Sequence, residues 1–151
     1  MDVLLVEDNP GDIRLAREAF RLSEKPITLH VVCDGVDAMA FLRKEGAYAN
    51  APGPHLILLD LNMPKLDGRE VLVKIKTDPN LKHIPTLILS TSAGDSDLQF
   101  AYENCANCYV TKPKDWESFA HVIRSIDRLW LALAKFPSEP RVWKPPKTGS
   151  V

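Results

Sequence analysis

Short apolar runs alternate along this chain with stretches whose apolar residues recur every three or four positions. The runs at 3–6, 27–33, 56–60, 86–90 and 108–110 predict five strands. Leu56-Ile57-Leu58-Leu59 and Leu87-Ile88-Leu89 show no polar alternation, the pattern of strands covered by helices on both faces. A first helix is predicted from Asn9, a good N-cap, with Pro10 in its first position and Asp12 just after. Ile13, Ala16 and Phe20, with Leu15, Ala19 and Leu22, follow helical spacing. Further helices are predicted over 36–44, 69–76, 96–104 and 116–136. Five strand–helix units joined by right-handed crossovers make an α/β protein, a doubly wound parallel sheet. After Phe136, Pro137, Pro140, Pro145 and Pro146 stand among Ser, Lys, Gly and Thr, a composition that neither continues a helix nor builds a core. The expected organisation is one folded domain, 1–136, and a proline-rich tail, 137–151.

Composition narrows the class. With 26% charged and 45% hydrophobic residues the chain is ordinary globular material, and 151 residues suit one core. A net charge of −1 leaves no excess of base for nucleic acid or for an anionic membrane. The first residues lack the basic stretch and apolar run of a signal peptide. No apolar segment approaches the ~20 residues that span a bilayer. Three cysteines, an odd number, do not make a disulfide framework, so the expected compartment is reducing and cytoplasmic.

Candidate chemistry gathers at strand ends. Glu7 and Asp8 follow the first strand, and Asp60 ends the third. In an open parallel sheet, ligands bind beyond the carboxyl ends of the strands, where the strand order reverses. A flavodoxin-like order, 2-1-3-4-5, makes the first and third strands neighbours and brings these acids together. Converging carboxylates repel and call for a cation, and a small set of hard oxygen ligands suits Mg²⁺. Taken alone, Glu7-Asp8 reads equally as a charged helix entry, since acids favour helix N-termini. Ser90 ends the fourth strand and Lys112 follows the fifth, so a hydroxyl and an ammonium reach the same edge. Around one aspartate, a divalent cation, a lysine and a hydroxyl suit phosphoryl transfer, with Asp60 as nucleophile. A flavin carrier on this scaffold would want a loop rich in Ser, Thr or Gly after the first strand. Glu7-Asp8-Asn9-Pro10-Gly11 would instead repel a phosphate.

These residues resemble the receiver domains of two-component response regulators, over roughly 2–127. The resemblance rests on Leu5-Val6-Glu7-Asp8-Asn9, Asp60-Leu61-Asn62-Met63-Pro64 with Asp67-Gly68, Leu89-Ser90, and Tyr109-Val110-Thr111-Lys112-Pro113. It implies that Glu7, Asp8, Asp60 and the Asn62 backbone carbonyl bind Mg²⁺. It implies further that Asp60 accepts a phosphoryl group from a sensor histidine kinase, that Ser90 hydrogen-bonds a phosphoryl oxygen and that Lys112 pairs with the phosphate. Tyr109 matches the family's switch position, which turns inward as the Ser90 loop moves, and Asn62 and Ser92 match positions that tune dephosphorylation. Such a protein is a switch that catalyses its own phosphorylation and dephosphorylation, not a metabolic enzyme. The segments 6–15, 90–92 and 107–112, with the long last helix, are similar to regulators paired with bacterial phytochrome kinases, a subfamily without an output domain.

The predicted last helix overruns the length needed to cover five strands, and its extra turns carry Leu129, Trp130, Leu131, Leu133 and Phe136. A helix apolar on most faces needs cover. The expectation is a homodimer through Leu129, Trp130, Leu133 and Phe136, together with the face of the fourth helix and fifth strand. The alternative is cover by the tail with Trp143. Cys105-Ala106-Asn107-Cys108 lacks the second pair of a zinc site and is expected to supply packing or turn cysteines. His30, His55, His83 and His121 are scattered without ligand spacing.

Overall fold

Successive strand residues point to opposite sides of a sheet, so a strand without polar alternation needs cover on both. The structure, a computed structural model, describes residues 1–63 and 65–137 and shows that cover. The strands are β1 (Asp2–Val6), β2 (Thr28–Val32), β3 (Leu56–Leu59), β4 (Thr86–Ser90) and β5 (Cys108–Thr111). Between and after them run α1 (Pro10–Arg21), α2 (Gly35–Arg43), α3 (Gly68–Thr77), α4 (Asp95–Glu103) and α5 (Trp116–Ile126). Every pairing is parallel, and the sheet order is β2-β1-β3-β4-β5, as expected. Leu4, Val6, Ile57, Leu59 and Ile88 pack on one face against residues of α2, α3 and α4 such as Phe41, Leu72 and Ala101. Val3, Leu5, Leu56, Leu58 and Leu87 pack on the other against Ala16 and Phe20 of α1 and Phe119 and Ile123 of α5.

Four helices begin behind an Asx cap. The side chains of Asn9, Asp34, Asp67 and Asp115 each accept a first-turn N–H, at 3.1, 2.8, 2.8 and 2.9 Å. The first and third of these caps fix the loops that carry Asp8 and Asn62. Among the described residues no helix is long and apolar enough to cross a membrane.

The last helix departs from its predicted course to Phe136. α-Helical geometry ends at Ile126, and Asp127–Leu133 forms wider π turns, with the Ala134 N–H donating to the Leu129 carbonyl at 2.8 Å. Leu131 lies five residues beyond the buried Ile126, one π step, and the widening returns it to the core between α1 and α5. A continuous α-helix, at 3.6 residues per turn, would have rotated it away. Trp130 packs half-buried on the same core, and the ring of Phe136 meets His55 edge-on with centroids 5.9 Å apart. Of the apolar residues expected to stand uncovered, Leu129 and Leu133 do so, at 57% and 74% exposed. Trp130, Leu131 and Phe136 find cover within the chain. Trp143 and the rest of the predicted tail beyond Pro137 lie outside the described residues, as does Pro64.

The Cys-x-x-Cys segment is a helix exit. Cys105 sits in the left-handed region, with φ at 67°, where its N–H reaches the Tyr102 carbonyl and the next N–H, of Ala106, reaches Ala101. Cys108 opens β5, and both thiols are free.

Candidate functional site

The parallel ladders run one residue past the strands and set the site. The Glu7 N–H donates to the Val32 carbonyl and the Asp60 N–H to the Val6 carbonyl, both at 3.0 Å, which seats the two acids side by side at the carboxyl edge. One strand pair over, the Lys112 N–H donates to the Ser90 carbonyl at 2.7 Å. The Lys112 ammonium, its side chain 5% exposed, then reaches back to Glu7 Oε2 at 2.5 Å, Asp12 Oδ2 at 3.0 Å and Asp60 Oδ2 at 3.4 Å. The other oxygens of the two buried acids hold backbone. Glu7 Oε1 accepts the Asn9 N–H at 3.0 Å, and Asp60 Oδ1 accepts the Asn62 N–H at 3.2 Å. Glu7, Asp8 and Asp60 each offer a carboxylate oxygen within 4.8 Å of the others.

Three carboxylates thus share one ammonium. Burial pushes the Glu7 carboxyl up to about 7; the Lys112 hydrogen bond opposes the rise and Asp60 adds to it. Burial works against the Lys112 charge, but the hydrogen bonds to Glu7 and Asp12 and the charge of Asp60 outweigh it and hold the ammonium above its ordinary pKa. A buried carboxyl driven toward neutrality next to a second carboxylate is a site short of positive charge. The donor set is oxygen only, with the exposed Asp8 giving access, and it fits a hard divalent cation.

Ser90 is fully buried, and its Oγ accepts the Ser92 N–H at 3.3 Å. The Tyr109 hydroxyl donates to the Ser92 carbonyl at 2.7 Å, so Ser90 and Tyr109 grip the same residue of the β4–α4 loop. Asn62 is exposed at the mouth, its Oδ1 accepting from Arg69 Nη1 at 3.4 Å.

Two neighbours escaped the sequence reading. Arg69 also donates to Asp97 Oδ1, at 2.6 and 3.2 Å, tying the start of α3 to the start of α4. The Ser92 hydroxyl and Arg69 together hold the Asp97 carboxyl below the usual range. A signal existed: a cation in the first turn of a helix opposes the helix dipole and asks for an acidic partner. Asp12 gave none, because an acid in a first turn is already explained by its own helix.

A doubly wound sheet of this order, with three acids, a buried hydroxyl and a buried ammonium at its carboxyl edge, defines the receiver class. The chain belongs to the response regulator receiver domain family, which residues 3–124 match. It is similar to response regulator Rcp1 of Synechocystis sp., 44% identical over 136 residues that cover 90% of this chain and 92% of Rcp1. The crystal structure of the Mn²⁺-bound form of Rcp1 superposes with a TM-score of 0.88 over 91% of this chain and 99% of that one. The phosphorylated cyanobacterial phytochrome response regulator RcpA, 50% identical, superposes with the same score over 91% and 98%. The chain is thus a receiver-domain response regulator related to phytochrome response regulators, a signalling switch by family.

Proposed function

We propose that the chain receives a phosphoryl group on Asp60 from a sensor histidine kinase of the phytochrome type. Phosphorylation is read as Mg²⁺-dependent, with Glu7, Asp8, Asp60 and the Asn62 carbonyl as ligands. The observation that carries the reading is the meeting of Glu7, Asp8 and Asp60 within 4.8 Å, with Lys112 Nζ 3.4 Å from Asp60. RcpA, the relative solved in phosphorylated form, and Rcp1, solved with Mn²⁺, support it. When bound, the cation supplies positive charge to the phosphoryl oxygens. An Asp60 oxygen forms the new P–O bond as the P–N bond to the kinase histidine breaks, and the imidazole nitrogen leaves with the bonding pair. Lys112 balances charge on the phosphoryl group, and the Ser90 hydroxyl turns from Ser92 to donate to it. That exchange frees Ser92 and with it Tyr109, which links chemistry to the α4 face. The free thiols of Cys33, Cys105 and Cys108 suit a cytoplasmic setting.

The chain incubated with Mg²⁺ and acetyl phosphate should gain one phosphoryl mass, and Asp60→Asn should gain none. An unlabelled wild type, or a labelled Asp60→Asn, overturns the reading.

A further inference from the structure

Lys112 carries more partners than the proposed reaction uses. A lysine ammonium has three N–H donors, and three carboxylates lie around this one: Glu7 at 2.5 Å, Asp12 at 3.0 Å and Asp60 at 3.4 Å. Glu7 and Asp60 belong to the group of acids whose oxygens converge within 4.8 Å, and Asp12 does not. A cation held by the converging acids would compete with Lys112 for Glu7 and Asp60 and would leave Asp12 to the lysine. Asp12 is also held in place. Its N–H is capped by Asn9 Oδ1 at 3.1 Å, and its side chain is 25% exposed.

We propose that Asp12 is a positioning residue for phosphoryl transfer, which anchors the Lys112 ammonium beside Asp60 when the other two acids turn to the cation. The inference rests on Asp60 being the phosphoacceptor. No bond to Asp12 forms or breaks, and no proton passes to it. Its part is to hold a flexible four-carbon side chain in one geometry, so that the ordering is complete before the phosphodonor arrives. The competing view makes Asp12 a repelling charge near an anionic donor, in which case its removal speeds the reaction.

The test uses the full chain as wild type, Asp12→Asn, Asp12→Glu, Lys112→Met and the Asp12→Asn, Lys112→Met double variant. Labelling rates with acetyl phosphate are measured alongside Mg²⁺ affinity by calorimetry. Asp12→Asn is expected to label about tenfold more slowly, the scale of one charge-assisted hydrogen bond, with Mg²⁺ affinity little changed. Asp12→Glu should label faster than Asp12→Asn, and the double variant should be no slower than Lys112→Met, because Asp12 acts through the lysine. The inference is overturned if Asp12→Asn labels at the wild-type rate or faster, or if its Mg²⁺ affinity falls in step with its rate. It is equally overturned if Asp12→Glu is no better than Asp12→Asn, or if the double variant shows the two losses added. A wild type that takes no label defeats the Asp60 assignment instead, so the two failures are distinguishable.

Discussion

Cys105 holds a backbone conformation that its own side chain makes costly. With φ at 67° it closes α4 in the left-handed region, where a Cβ crowds the following carbonyl at about 1–2 kcal/mol. Cys105→Gly should therefore stabilise the fold by about 1 kcal/mol, read as a higher urea midpoint at unchanged slope. Asp34 shows the opposite case, a residue matched to its place. Its carboxylate caps α2 through the Asp37 N–H at 2.8 Å and meets Lys65 Nζ at 3.1 Å. The Asp37 N–H and then Lys65 hold this carboxyl below its ordinary value of 3.8. A carboxyl whose pKa is lower folded than unfolded contributes stability above the unfolded value, and the contribution is lost as pH falls through the folded one. Asp34→Asn keeps a capping oxygen but drops the charge. Its Tm should lie below wild type near neutral pH, and the two curves should converge as pH falls below about 4. Parallel curves would contradict the assignment. The cap at Asn9 was readable as a residue type that favours helix starts; the left-handed Cys105 was not, because cysteine carries no preference for it.

At the scale of elements, α3 begins hard against the backbone of Asp60 and Leu61, just past β3. The Gly68 N–H donates to the Leu61 carbonyl at 3.1 Å, and a Cβ on Gly68 would land on the Asp60 carbonyl oxygen. Gly68→Ala should destabilise by about 1–3 kcal/mol and disturb the loop through Asn62, seen as a lower Tm and changed amide shifts there. The π turns after α5 make a second prediction. Leu131→Ala should cost about 2–5 kcal/mol, as loss of a fully buried leucine does. Leu129→Ala, two residues away and 57% exposed, should stay within about 0.5 kcal/mol. Equal effects would mean that the last turns do not pack as described. Apolar periodicity announced this segment as a helix but not as a wide one, since a π turn is chosen by what the residue must reach rather than by its identity.

Across the whole molecule, the site is a consequence of strand order. Parallel strands all end at one edge, and the order 2-1-3-4-5 makes neighbours of β1 and β3, so Glu7 and Asp60 meet although far apart in sequence. That much was legible, because strand ends and their polar residues stand out against apolar runs. The reach of Lys112 to Asp12, one hundred positions earlier, was not. It depends on how far α1 leans over the sheet, and no local pattern encodes that. Self-association belongs to this scale too. Leu129 and Leu133 remain the exposed candidates for a two-fold contact, alongside the α4–β5 face. Sedimentation with and without beryllofluoride should show a dimer in at least one state, and Leu133→Glu should shift it toward monomer without altering acetyl phosphate labelling. A wild-type monomer in both states removes the dimer from the account.

The amino-acid sequence alone determined the alternation of buried strands and helices, the sheet class and the acids, hydroxyl and lysine at the strand ends. These follow from burial period and from residue types that interrupt it, which are local properties. Only the tertiary structure decided which carboxylates share the one ammonium, which apolar residues of the last turns are covered and which loop Ser90 and Tyr109 both hold. Those depend on distances between elements remote in the chain, and such distances are set when helices settle on the sheet.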